Sequence, residues 1–175
     1  VKTVAEVDAF AFGAHADQFD KIGVPYIEHV RAVAAGLVPF GDDLVMAGLL
    51  HDVIEDTDWT AEQLRKAGVP YYVVALVVAV TNERGIPYQE KVARITRRGR
   101  DAVRLKIADN AHNSHPDRSV MLPEEQRTRL AAKYRAARDI LWPAAEGRDI
   151  ETIVRIVNPS LLDELRERQS AGSSS

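Results

Sequence analysis

A chain of 175 residues with 46% hydrophobic side chains suffices for one well-filled core and is short for two domains. Its formal net charge of −3 gives no polybasic field of the kind non-specific nucleic-acid binders need, so no nucleic-acid partner is expected. The absence of cysteine excludes disulfides, thiolate-ligated zinc and cysteine nucleophiles, and fits a reducing compartment.

The first residues, "VKTVAEVDAFAF", carry Glu6 and Asp8 among their apolar neighbours, which argues against a signal peptide. The longest apolar run, "VPYYVVALVVAV" (69–80), is shorter than the roughly 20 residues a spanning helix needs. A cytoplasmic protein without a membrane partner is the expectation. Apolar residues recur mostly at three- and four-residue spacing, with no convincing alternation or hairpin dipeptide. This predicts helices over 3–20, 25–37, 42–56, 60–67, 70–82, 87–98, 101–115, 123–145 and 149–168. Pro25 can open a helix, because its missing N–H costs nothing there. Thr60 and Gln63 match a capping box, and Pro123 leads Glu124 and Glu125 into a helix start whose dipole favours acids. Breaks fall at Gly41, Gly68, "RGIP" (84–87) and "RRGR" (97–100). By propensity, the β-branched run 73–80 could instead be a buried strand. "SAGSSS" is low in complexity and expected to be disordered. The expectation is an all-α chain with a single domain over 1–169 and a disordered tail over 170–175.

The stretch "LLHDVIEDT" (49–57) carries the chemistry. With about 100° per helical residue and His51 at zero, Asp52 falls near ~100°, Glu55 near ~40° and Asp56 near ~140°. Leu49, Leu50, Val53 and Ile54 cover the opposite side, so a buried helix shows one face rich in carboxylates. Such carboxylates repel one another and resist desolvation, and a positive charge should sit against them. His51 and Asp52 could chelate an ion together with ligands from elsewhere. His29 lies on a helix whose buried stripe is Ile27, Val30, Val33, Ala34 and Leu37. Asp109 lies beside Val103, Leu105, Ile107 and Ala108. Both would be costly to bury without a partner. Two imidazoles and two carboxylates suit Mn, Fe, Co, Zn or Mg.

"LLHDVIEDT" together with "LKIADNAHNS" resembles the HD-domain superfamily of metal-dependent phosphohydrolases, most nearly the hydrolase domain of RelA/SpoT-type (p)ppGpp hydrolases. "AHADQFDKIGVPYIEHVRAVA" (14–34), "LLHDVIEDT", "AVTNERGIPYQEKVARI" (79–95) and "KIADNAHN" (106–113) follow the family's order, and the length resembles its small, hydrolase-only members. The resemblance implies an HD-type helical bundle. It implies a divalent metal, Mn2+ first, with Fe, Co, Zn or Mg as alternatives, on His29, His51, Asp52 and Asp109. It implies catalytic acids at Glu55 and Asp56, and substrate contacts at Lys21 and Asn113. The Arg preceding the family's Lys is Asp20 here, and Asn110-Ala111 replaces the usual Arg-Leu. An aspartate at that position is expected to repel phosphate, giving weak activity on ppGpp or a preference for a related nucleotide, such as a 2′- or 3′-phosphorylated cofactor.

Other polar residues have structural readings. His15 and His112 read as core or supporting histidines, and His115 as a helix end. "RITRRGR" (94–100) reads as a solvated helix end, and Trp59 and Trp142 as packing residues. Lys106 is a possible phosphate contact. The resulting expectation is a metal-dependent phosphohydrolase removing pyrophosphate or phosphate from the ribose 3′ position of a guanosine nucleotide such as ppGpp. A bound dication would supply Lewis acidity while Glu55 or Asp56 takes a proton. The alternatives are a non-catalytic nucleotide-sensing module, which the complete ligand set disfavours, or hydrolysis of a different nucleotide. The residues leave the oligomeric state open.

Overall fold

The computed structural model describes residues 1–172, and all regular structure among them is helical apart from one isolated bridge between Phe19 and Pro25. The helices are α1 (Val4–Ala14), α2 (Ile27–Leu37), α3 (Asp42–Leu50), α4 (Val53–Asp56), α5 (Ala61–Lys66) and α6 (Tyr71–Val80). They continue as α7 (Tyr88–Ile95), α8 (Arg100–Asn113), α9 (Glu124–Leu141), α10 (Gly147–Val157) and α11 (Leu162–Gly172). None of them is long and apolar enough to cross a membrane.

Local chemistry sets most of the ends. Thr60 and Gln63 form the expected capping box on α5, and Thr3 and Glu6 form a second one on α1. Pro123 precedes α9, with Glu124 and Glu125 in its first turn. Gly41, Gly68, Gly85 and Gly99 all take positive φ at the expected breaks, a region that side chains with a Cβ avoid. The run 73–80 is helix rather than strand. Val73, Val77 and Val80 are buried at helical spacing while Val78 is half exposed, so packing along one stripe outweighs β-propensity.

Other boundaries differ from the expectation. The first helix stops at Ala14, and residues 15–26 form a loop. Pro25 does not open α2: it pairs with Phe19 in the bridge, and the helix begins at Ile27. The segment expected as one helix over 42–56 is two, because Asp52 opens the ladder at φ −100°, ψ −3°. The segment over 149–168 divides around a 3-10 turn at Pro159–Leu161, where proline cannot continue the helix. Helix α11 runs through Ser170, Ala171 and Gly172, into the stretch expected to be disordered, and the rest of that tail, 173–175, lies outside the described residues.

Helix α2 lies at the centre, packed against α3, α8 and α10. Val30, Val33 and Leu37 from α2, Leu50 from α3, Leu105 from α8 and Ile153 from α10 are fully buried around it. The crossing of α2 and α3 is close enough to require glycine. A Cβ on Gly48 would stand 2.8 Å from the Ala34 Cα, a backbone atom that cannot step aside. This approach lets the His29 and His51 rings come within 5.2 Å of each other, centroid to centroid.

Candidate metal centre

Four buried or half-buried side chains from α2, the α3–α4 junction and α8 converge on one point. His29 Nε2 lies 3.6 Å from Asp52 Oδ2 and 3.3 Å from Asp109 Oδ1. His51 Nε2 lies 2.9 Å from Asp52 Oδ2 and 3.5 Å from Asp109 Oδ1. Donor atoms of His29, His51 and Asp52 all fall within 4.8 Å of one another, which is a potential metal site.

The tautomers fit a cation. His51 Nδ1 is 2.8 Å from the Gly48 carbonyl oxygen, which can only accept, so the proton sits on Nδ1. The buried Nε2 has no hydrogen-bond partner. In neutral imidazole that atom turns a lone pair toward two carboxylates, an arrangement that calls for a positive charge between them. Burial disfavours a charged His51, yet Asp52 and Asp109 outweigh it and raise its pKa well above the usual imidazole value. The same two carboxylates would favour a dication at that point. Burial likewise opposes ionised Asp52 and Asp109. His51 and His29 keep Asp52 well below the carboxylate range, and Lys106 and the two histidines do so for Asp109.

Neighbouring side chains orient these donors. The Tyr26 hydroxyl donates to Asp52 Oδ2 at 2.7 Å. Lys106 Nζ and the Asn113 amide donate to the two oxygens of Asp109, each at 2.7 Å. Lys106, the possible phosphate contact, is therefore buried and committed first to Asp109, which keeps it charged against its burial. His29 Nδ1 lies 2.8 Å from His112 Nδ1. Ligation through His29 Nε2 requires its proton on Nδ1, which His112, kept neutral by burial, His29 and Arg118 with a pKa pushed down to about 3, could accept. Arg118 Nη1, a donor 2.5 Å from the same His29 Nδ1, would then have to turn away.

Asp52 and Asp109 of this cluster line a cavity of about 600 Å³, with His29 and His51 buried behind them. Lys21, Glu55, Asp56 and Asn113 line it together with Asp52 and Asp109, and His29 and His51 stand against those two aspartates. Glu55 accepts from the backbone and side-chain amides of Asn82 at 2.9–3.1 Å. Burial and the nearby Asp52 and Glu55 push Asp56 up to about 6.

Sequence reasoning missed Tyr26, Asn82, Arg118 and Lys133, which also line the cavity. Tyr26 stands three residues before His29, a spacing that would have placed both on one face. No local signal marked the others. His15 and His112 are packed as expected, with His15 Nδ1 2.7 Å from Gln18 Oε1. His115 does not end α8. It precedes the 3-10 turn Pro116–Arg118 and accepts the Asp117 N–H there. Trp59 packs edge-on against Phe10 and Trp142 is buried. The cations of 94–100 lie outside this cavity, and Arg97 and Arg98 are exposed.

The Asp20 carboxylate serves the protein itself. Its Oδ1 accepts from the backbone N–H groups of Ile22 and Val24, each at 2.9 Å, and its Oδ2 faces Arg118 Nε at 3.9 Å. Asn110 is likewise used. It donates to the Tyr134 carbonyl and accepts from Arg138 of α9.

Residues 9–113 match the HD-domain family. A probable guanosine-3′,5′-bis(diphosphate) 3′-pyrophosphohydrolase of Synechocystis sp. is 37% identical over 78% of this chain and 19% of its own length. The chain thus spans about a fifth of such long relatives. The shorter guanosine-3′,5′-bis(diphosphate) 3′-pyrophosphohydrolase MESH1 of Danio rerio is 33% identical over 59% of this chain and 63% of its own. Among solved structures, a metazoan ortholog of SpoT described as hydrolysing ppGpp superposes with a TM-score of 0.73 at 26% identity, covering 95% of this chain and 94% of that one. With its ligand-type residues converging inside the matched region, the chain belongs to the HD-domain family.

Proposed function

We propose that this protein is a divalent-metal phosphohydrolase that removes pyrophosphate from the ribose 3′ position of a guanosine nucleotide such as ppGpp. The observation that carries this reading is the convergence of His29, His51, Asp52 and Asp109 on one point, with Asp52 and Asp109 also lining a nucleotide-sized cavity that Lys21 shares. These four residues would hold the ion, with Mn2+ the first choice for a mixed imidazole and carboxylate set. A bound dication supplies Lewis acidity and a more acidic water.

The chain's own residues supply the remaining functions. Asp56, its carboxyl pushed up to about 6, is suited to take the proton of the attacking water. Glu55, tied to Asn82, is the fixed acceptor that orients that water. Lys21 and Asn113 contact the substrate's phosphates. The bond from phosphorus to the ribose 3′ oxygen breaks, water oxygen replaces it on phosphorus, and a proton ends on the departing 3′ oxygen, giving pyrophosphate and GDP.

The test is a panel of ribose-phosphorylated nucleotides incubated with Mn-loaded protein, with products separated by anion exchange. Release of pyrophosphate and GDP from ppGpp is expected. Tight binding without products would identify a sensing module instead, and turnover confined to another nucleotide would reassign the substrate.

A further inference from the structure

At position 20 the chain carries an acid where the family pattern it resembles has a cation, yet the cavity keeps a cation beside that place. Arg118 reaches it from the 3-10 turn Pro116–Arg118, which follows α8. Its Nε faces Asp20 Oδ2 at 3.9 Å, with the two side chains only 18% and 9% exposed. Its Nη1 donates to Asn113 Oδ1 at 3.1 Å and lies against the Nδ1 atoms of His29 and His112. No partner for Nη2 is found among the described residues.

Asp20 meanwhile holds its own loop. An arginine at 20 has no acceptor for the Ile22 and Val24 N–H groups and would place a second cation against Arg118. A guanidinium stays charged at all working pH values and presents a planar fork that matches phosphate oxygens.

We propose that Arg118, steadied by Asp20, is the group that grips the substrate's pyrophosphate beside the metal ligands, so that the charge missing at position 20 is supplied from 118. This rests on the phosphohydrolase reading for the identity of the substrate. Arg118 is the contact with the substrate, and Asp20 positions it.

The experiment measures binding of inorganic pyrophosphate and of GDP to Mn-loaded protein by calorimetry, beside metal content and the kcat and KM for ppGpp. Arg118→Gln should weaken pyrophosphate about 10- to 100-fold, the range for a hydrogen bond to a charged group. KM for ppGpp should rise in parallel, while metal content and GDP affinity stay as in the wild type. Arg118→Lys, which keeps the charge and loses the fork, should fall between. Asp20→Asn, which can still accept both backbone N–H groups, should show a smaller loss of the same kind, and Asp20→Arg should bind pyrophosphate less well than wild type. Unchanged pyrophosphate affinity in Arg118→Gln, or no pyrophosphate binding by the wild type, would overturn the proposal. So would loss of metal from Arg118→Gln, which would make Arg118 a support for His29. If the wild type hydrolyses no nucleotide yet binds pyrophosphate through Arg118, the hydrolase reading falls and this inference stands.

Discussion

The buried donor cluster and the open rim of the cavity beside it are built differently. On one side His29, His51 and Asp109 are at most 4% exposed and project from packed helices. Each is tied to a neighbour: His51 to the Gly48 carbonyl, Asp109 to Lys106 and Asn113, and His29 to His112. On the other side Lys21, Arg127 and Lys133 are exposed, drawn from the 15–26 loop and from α9. A metal centre needs donor atoms held to a fraction of an ångström, which buried helices provide. Holding a phosphate-bearing group needs charge of the right sign, which exposed cations at the rim provide without fixed geometry.

Substitutions among the buried donors and of the two acids beside them should therefore cost the most, and those of the rim cations should only tune function. The largest effect is expected for His51→Ala. It removes a ligand and leaves Asp52 and Asp109 facing each other in a buried site, so purified protein should lose its metal and at least ~100-fold of its activity. Full occupancy by metal analysis would show that the buried side is not the metal centre.

Next come Asp56→Asn and Glu55→Gln, which should keep the ion while lowering kcat on the order of 10²-fold. Loss of metal from both would move them into the ligand set. The pH dependence separates them. As a base Asp56 must be ionised, and its carboxyl is pushed up to about 6, so the wild-type rate should fall as pH drops through that region. Asp56→Asn should lose this acidic limb from its residual rate profile, and Glu55→Gln should retain it.

The spacing of the buried side is tested by Gly48→Ala. The new Cβ meets the Ala34 backbone, and overpacking should cost about 1–3 kcal/mol, read as a lower midpoint in thermal or urea unfolding. An unchanged midpoint would mean that α2 and α3 can separate without cost. The smallest effect is expected at the rim. Lys21→Ala should raise KM about 3- to 10-fold with kcat unchanged, and the difference should shrink with added salt. A collapse of kcat would put Lys21 in the chemistry and erase the contrast between the two sides.

Local patterns determined the helical class, the capping boxes and the glycine breaks, because each depends on residues within one turn of one another. They also exposed the candidate ligand-type residues. His51 and Asp52 are adjacent, and His29 and Asp109 each interrupt an apolar stripe whose other members are all buried. Their grouping as one possible site was suggested by the residues and carried over from the family resemblance, and the crossing of α2, α3 and α8 brings them together.

The opposite side was not legible. Asp20 reads as a charge reversal along the chain, whereas folding pairs it with Arg118 and with its own loop. Asn110 reads as a lost cation, whereas Arg138 reaches it from α9. What the sequence by itself determined is therefore the helices and the residues able to bind a metal, since periodicity and burial cost act over short stretches. What only the tertiary structure decided is which distant charges stand together. A side chain's electrostatic meaning depends on the partner within a few ångströms, and that partner is chosen by packing rather than by nearness in the chain.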